Sequence, residues 1–371
     1  MTSTVFVDQV TPIVASWLND VNAGVYTTLP LKAAAGANTD ITSLAALASL
    51  NSGPLAGFRN RLRNGGVQIA QRGVSASDVN GYFVDGWYTN RTGSVNHMNL
   101  QVSNVFFGVN KFGMKISRTA GDTQTNALNL YQPIEQTISQ SLAGGNATLS
   151  FILGAGANIS SPTGHAVNIY YQTSLTDQGV GGTWTAIGAQ TFSVTASTSY
   201  GARQGYTFAI PSNATQLMIQ ISFAVTGTAG ADESFYITEI QLEPGSVATP
   251  FERRSIGVEL ALCQRYFEKS YNQADAPGTV GYLTHGGVFY ALDTASAVGN
   301  AQFSVTKRTT PTVVIYQPVT GASGNARDNS GGGASVPMTV ADISQVGFNR
   351  LTGTITTGHQ FSAMWTASAE L

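Results

Sequence analysis

Leu217, Ile219, Ile221, Phe223 and Val225 put an apolar side chain at every second position, the period of a half-buried β-strand. The same period recurs at Val167, Ile169 and Tyr171, and again at Tyr206, Phe208 and Ile210. Turn clusters separate these runs: Gly144-Gly145-Asn146, Gly179-Val180-Gly181-Gly182, and Gly227 to Asp232. Short strands at such spacing, with no helical pattern between them, predict an antiparallel jelly-roll sandwich over residues 65–253.

The flanks read differently. Over residues 1–30, Thr11 is a good N-cap, Pro12 suits the first helical position, and Gly24 is a stop. Val14, Leu18, Val21 and Val25 form an apolar stripe with Trp17 beside it. So short a helix needs a surface to pack on, either the following domain or another chain. Residues 31–64 read as a connector with two heptad-like pieces, Ile41, Leu44, Leu47 and Ala48, then Leu55, Phe58 and Leu62. Such pieces suit a brief parallel bundle of identical chains, with Arg59, Arg61 and Arg63 on a solvated or interchain-paired face.

Residues 254–271 return to a helical pattern, with Val258, Leu262 and Tyr266 on one side and Arg265 spaced to pair with Glu268. Leu260, Cys263 and Phe267 add apolar groups elsewhere on that helix, which therefore reads as a buried hub. Residues 272–371 are β again, with a compact strand at Val313 to Tyr316 and alternation at Phe361, Ala363, Trp365 and Ala367. Between them Gly321 to Ala334 has no strand signal and reads as an exposed loop, a binding tip or simply a disordered one. The expected fold is mainly β: helical N-terminal segment, jelly-roll sandwich, short hub helix, C-terminal β tip domain.

Charge excludes several functions. Only 10% of the residues are charged and the net charge is −2, so no basic field holds nucleic acid or an anionic membrane. A surface so poor in charge must be built from Ser, Thr, Asn, Gln and Gly, which suits β proteins and chains packed against copies of themselves. The one cysteine, Cys263, allows no intrachain disulfide and reads as a buried apolar residue. The opening MTSTVFVDQ has neither the basic nor the apolar region of a signal peptide, and no run approaches a membrane span, so synthesis in a cytosol is expected.

Catalytic patterns are sparse. His97, His165, His285 and His359 are far apart, without the close His or Cys neighbours of a metal site, and no P-loop or GxSxG elbow occurs. Asp232-Glu233 is the only tight acid cluster, and adjacent residues before a strand face opposite ways, a poor acid–base pair. Asp122, Asp232 and Glu233 read as structural calcium ligands or as turn residues; no metal or cofactor is predicted. Sugar binding asks for exposed aromatics with amides or carboxylates alongside. Trp184, Tyr282, Tyr316, Asn325 and Asp328 are the candidates, with Trp87-Tyr88 and Tyr290 as further possibilities; each of these aromatics is more often core than platform in a β protein.

Several segments carry a resemblance. TPIVASWLNDVNAGVY at 11–26 resembles the N-terminal segment of tail fibres of short-tailed phages. NGGVQIAQRG at 64–73, YFVDGW at 82–87 and LYQPIE at 130–135 are similar to a carbohydrate-binding-module-like jelly roll of phage tail proteins. IQLEPGSVATPFERRS and ELALCQRYFEKS resemble the segment that ends that domain, and FSAMWTASAEL the end of a tip region. The resemblance implies a non-enzymatic homotrimeric fibre on the virion. Residues 1–30, with Val14, Trp17, Leu18, Val21 and Val25, would attach to a tail or adaptor protein. The tip would meet a host surface glycan or outer-membrane receptor. The alternative is a depolymerase of host polysaccharide. One departure stands out: where similar sequences carry arginine before the tryptophan, this chain has Gly86, which asks for a substitute if that arginine supports the fold.

Overall fold

A computed structural model describes residues 58–371 except 78–79, 92–98, 104–111, 197–200 and 282–285. The proposed attachment residues Val14, Trp17, Leu18, Val21 and Val25, most of the 31–64 connector, and Tyr282, His97 and His285 lie outside the described residues.

The first half is a two-sheet sandwich. Its strands are β1 (Ser75–Ser77), β2 (Gly81–Tyr82), β3 (Tyr88–Arg91), β4 (Asn99–Ser103), β5 (Gly113–Ser117), β6 (Leu128–Ile134), β7 (Asn146–Ala155), β8 (His165–Gln172), β9 (Thr185–Phe192), β10 (Gln204–Ala209), β11 (Gln216–Phe223) and β12 (Ser234–Pro244). They form two six-stranded antiparallel sheets, β1-β4-β5-β12-β7-β10 and β2-β3-β6-β11-β8-β9. The alternation predicted from sequence is what closes them on each other. Leu217, Ile219, Ile221 and Phe223 meet Phe235, Ile237, Phe151, Leu149 and Trp87 in one fully buried core.

The expected mainly β fold is observed, but the boundaries of the hub differ from the expectation. Helix α1 (Ile256–Gln264) stops at Gln264, and Phe267–Lys269 is strand β13. The strand is made by pairing with a partner a hundred residues away, not by local preference. Arg265 does not pair with Glu268: it grips Glu135 with both Nε and Nη2 at 2.9 Å, while Glu268 takes Lys307.

The second half is a nine-stranded antiparallel sheet made of β13, β14 (Gly287–Ala291), β15 (Ser296–Gln302), β16 (Thr312–Tyr316), β17 (Asn325–Asp328), β18 (Ala334–Pro337), β19 (Thr339–Ser344), β20 (Gly347–Thr352) and β21 (Gln360–Ser368). β21 is its axis, pairing with β14 and β17 through its first half and with β13 and β16 through its second. The stretch 321–334, expected to be an exposed loop, instead contains β17 and the start of β18. Asp328 makes this possible by accepting the Ser330 and Gly331 amides at 3.0 and 2.7 Å, which folds the glycine-rich turn between the two strands.

Candidate functional site

In the second sheet of the sandwich, every residue between two core positions faces away from the core. Register places these outward residues in a line across five strands. Tyr82 pairs with Tyr88, Tyr88 with Tyr131, Tyr131 with Gln220, and Gln220 with Asn168. Three tyrosines and two amides therefore share one row. Asn129 and Tyr170 flank it from neighbouring rows.

Gln220 is the fixed point. Its Oε1 accepts from Asn168 Nδ2 and from the Tyr170 hydroxyl, both at 2.8 Å. Its Nε2 donates to Asn129 Oδ1 at 3.0 Å and to the Tyr131 hydroxyl at 2.8 Å. Both amide ends are thus used, and both phenols are held in place. The two hydroxyls are left with opposite capacities: Tyr131 accepts from Gln220 and keeps its proton to donate, whereas Tyr170 donates and keeps its lone pairs to accept. Burial raises the pKa of both phenols, so they stay neutral. Further along the row Tyr82 and Tyr88 meet edge to face, with ring centroids 5.2 Å apart. Rings that cannot turn and hydroxyls of both polarities are what a sugar, with its apolar ring face and mixed hydroxyls, requires.

On the opposite outer face the chain itself covers β12, β7 and β10. Residues 245–253 run across these strands: Thr148 Oγ1 donates to Gly245 O at 2.7 Å, Thr207 Oγ1 to Ser246 O at 3.1 Å, and Thr249 N to Glu243 at 2.8 Å. Gly205 lies under this strap, where a Cβ would stand 2.8 Å from that of Ala248. The same segment pins the entering chain, because the Glu252 carboxylate accepts the Arg59 and Asn60 amides at 3.0 and 2.9 Å. Arg254 continues the clamp onto Leu62 O at 3.0 Å and onto Asn60 O. The conspicuous LEPGSVATPFERRS text is thus a strap and a clamp.

The hub buries Cys263, Tyr266 and Phe267, as the apolar pattern predicts, and with them charged groups that the pattern does not show. α1 turns Glu259 and Cys263 inward, and Glu259 accepts the Asn64 amide. Arg63, expected on a solvated or interchain face, is buried. It stacks on Tyr266 at 3.7 Å and donates to Pro133 O at 3.2 Å and Glu370 at 3.1 Å. Arg63 also packs directly against Gly86, the position before the tryptophan. Gly86 has φ +82°, and a Cβ there would stand 2.8 Å from Arg63 Cγ and 2.9 Å from Nε. Beside it Asp85 accepts the Gln71 amide at 2.6 Å, and Gln71 Nε2 reaches Phe267 O at 2.7 Å, tying the sandwich to β13.

The residues proposed from sequence do not converge. Trp184 is half-buried in its loop, its Nε1 donating to Gly179 O at 3.0 Å. Tyr316 lies on β16 edge-on to Tyr271, with centroids 6.2 Å apart. Asn325 donates to Ser323 O at 2.9 Å at the start of β17. Asp328 is buried and shared between its turn and His359 Nδ1 at 2.7 Å, so it has little left for a receptor. Trp87 is wholly core, whereas Tyr88 joins the row. Tyr131, Tyr170, Gln220, Asn129 and Asn168 were not proposed. Their out-facing parity is visible in the strand pattern, but their meeting depends on long-range register.

The acid pair has separate duties. Glu233 is buried, accepting from Arg118 Nε at 2.8 Å and from Ser160 N at 3.0 Å, while Asp232 accepts from Ala157 N at 3.2 Å. Asp122 caps its own turn through Gln124 N at 2.9 Å. Among the described residues no group of three His, Cys, Asp or Glu is placed to hold a metal ion, and no helix is long and apolar enough to cross a membrane.

No protein-family model and no curated protein matches the chain. Among solved structures it is similar to the enzymatically active domain of bacteriophage CBA120 tailspike protein 4, at 14% identity over 50% of this chain and TM-score 0.34. The match spans 21% of that tailspike chain. It is also similar to the module TmCBM61 in complex with β-1,4-galactotriose, at 11% identity over 50% of this chain and 99% of that one, TM-score 0.31. A xylan-binding domain from CBM family 22 gives 15%, 48% and 98%, TM-score 0.29.

Proposed function

We propose that the chain is a non-enzymatic adhesin of a phage tail: a homotrimeric tail-fibre protein, made in the host cytoplasm and carried on the virion, whose sandwich binds a host surface glycan. The observation that carries this reading is the Gln220 cluster, in which one amide holds Tyr131 and Tyr170 as a rigid platform with one hydroxyl left to donate and the other to accept. The strap over the opposite face supports the same choice of surface. The depolymerase alternative needs two accessible carboxylates, and Glu233 of the acid pair is locked under Arg118.

Self-association is supported by the outer side of α1. With Glu259 and Cys263 turned inward, Ile256 is left 57% exposed, and Phe58, where the described chain begins, is 45% exposed. Phe58 and Leu262 line a largely apolar groove of about 330 Å³, which a second copy would cover. Attachment through residues 1–30 rests on the sequence resemblance.

A glycan array on the full chain tests the reading. Tyr131→Ala and Tyr170→Ala should each lower binding roughly tenfold on the same glycans, about one aromatic contact plus its hydrogen bond, with unchanged melting. Binding that ignores both substitutions refutes the platform. A light-scattering mass near 38.8 kDa refutes the trimer.

A further inference from the structure

The C-terminal sheet carries a second ordered surface, on the side away from the Phe289, Phe348, Phe361 and Trp365 core. Register lines up Gln360, Tyr290, Val298 and Arg350 across four strands, with Arg327, Ser362 and Val288 in the adjoining row. Tyr290 is 54% exposed, and Val288 and Val298 beside it are also open.

The ring is held by a chain of amides. Gln360 Nε2 donates to the Tyr290 hydroxyl at 2.9 Å, and Asn329 Nδ2 donates to Gln360 Oε1 at 3.3 Å. Asn329 Oδ1 in turn accepts from Ser362 Oγ at 3.2 Å and from Arg327 Nη1 at 3.3 Å. The polar capacity left facing outward consists of donors. Tyr290 accepts from Gln360 and keeps its proton, and Arg327 has N–H groups beyond the one that Asn329 takes.

Charge points the same way. Arg350 is neutralised by Asp342 at 2.8 Å. Asp328 faces the other side of the sheet, where its carboxylate is taken by its own turn and by His359. Arg327 makes no ion pair among the described residues, and its described hydrogen bond goes to the neutral Asn329. The face therefore holds one uncompensated guanidinium on β17 and an exposed aromatic ring on β14, with β21 between them.

We propose that this face binds an acidic polysaccharide, with a sugar ring stacked on Tyr290 between Val288 and Val298 and the sugar carboxylate on Arg327. A planar guanidinium takes a carboxylate through two N–H groups, a geometry that a neutral sugar does not exploit. The site is separate from the sandwich platform and stands or falls without it.

Affinity electrophoresis of the full chain through gels containing polygalacturonate, alginate, hyaluronate or polysialic acid, with neutral xylan as control, tests the proposal. At least one acidic polymer should retard the wild type more than xylan does. Tyr290→Ala should weaken that retardation roughly five- to tenfold. Arg327→Gln should weaken it to a similar degree and flatten its dependence on salt. Tyr131→Ala should leave it unchanged, which separates this site from the sandwich. Retardation by none of the acidic polymers, or retardation that survives both Tyr290→Ala and Arg327→Gln, overturns the proposal. So does a loss that Tyr131→Ala reproduces. Unchanged melting of the two sheet variants ensures that a loss is not unfolding.

Discussion

Removing Arg118 should cost this fold heavily. Its side chain is fully buried, and its guanidinium sits in a shell of oxygens. Nε and Nη2 reach Glu233 Oε2 at 2.8 and 2.5 Å. Nη1 donates to the carbonyls of Gln124 and Gly227, at 2.5 and 3.0 Å, and Nη2 to that of Thr226 at 3.0 Å. These carbonyls come from the two loops that close one end of the sandwich, 119–127 and 224–231. Arg118→Met keeps the volume of the stem but strands the Glu233 carboxylate without a cation. Breaking one partner out of a buried pair costs about 3–5 kcal/mol, and water entering the site would meet part of the carbonyl demand. For a sandwich of this size each kcal/mol shifts the midpoint by roughly 2–4 °C, so calorimetry should find melting lowered by about 6–20 °C. Arg118→Met with Glu233→Gln should recover a substantial part of that loss, because the stranded charge is gone. The double-mutant cycle should show a coupling above roughly 2 kcal/mol. The emptied shell of Arg118→Ala, carbonyls plus one carboxylate, is also the donor set Ca²⁺ prefers. Millimolar Ca²⁺ should therefore raise the melting point of that variant, with no effect on the wild type. A loss below about 1 kcal/mol for Arg118→Met, or additive effects in the cycle, would refute the assignment of Arg118 as the internal cation of this end.

Two further outcomes follow from the joint between the sheets. Gly86→Ala adds a Cβ that meets Arg63 at 2.8 Å in a left-handed backbone conformation, so chemical denaturation should show a loss of about 2 kcal/mol. Adding Arg63→Ala should cost less than the sum of the two single changes. Lys269, buried and donating to Gln273 O at 2.9 Å and Asp275 O at 2.6 Å, has its pKa pushed down by desolvation to about 8 from an ordinary 10.5. Between those two values the unfolded chain binds the proton that the folded chain has released, so this group adds stability as pH rises through about 8 and costs stability below it. The melting point of the wild type relative to Lys269→Met should therefore climb between about pH 8 and 10.5, the span of the shift, and a flat or falling difference contradicts the assignment.

What could be read from sequence was what depends on neighbours along the chain. Leu217 to Val225 announces a strand because its parity is local. The same parity puts Tyr131 and Asn129 of LNLYQPI on the outward side. That Gln220 holds Tyr131 and Tyr170 together depends on two registers between segments about 50 and 90 residues apart, which no local pattern encodes. Trp184 drew notice as a large aromatic beside glycines, yet the indole is half-buried and bonded within its own loop. Phe267–Lys269 continues a helical spacing on paper, but its backbone is claimed by residues 366–368 of β21. The Asn325–Asp328 strand lacks β-branched residues and is held by the Asp328 turn and by β21. In the last two cases tertiary pairing with β21 overrides local preference.

The low charge of the chain acquires a different meaning once the charges are located. Arg63, Arg118, Glu135, Glu233, Glu259, Glu268 and Lys307 are all buried. They sit in the loop-closing shell around Arg118, in the clamp on the entering chain, or in the joint between the sandwich and the second sheet. Buried ion pairs are poor sources of net stability, because desolvation offsets most of their attraction, but a misplaced partner is heavily penalised. They therefore fix geometry. Few charges are left for the exterior, and both ordered outward faces are tyrosines set by amide side chains, one electrically neutral and one with a single guanidinium beside it. Charge scarcity, read at first as a sign of surfaces packed against copies, is equally what a rigid body with two polar, aromatic outward faces requires.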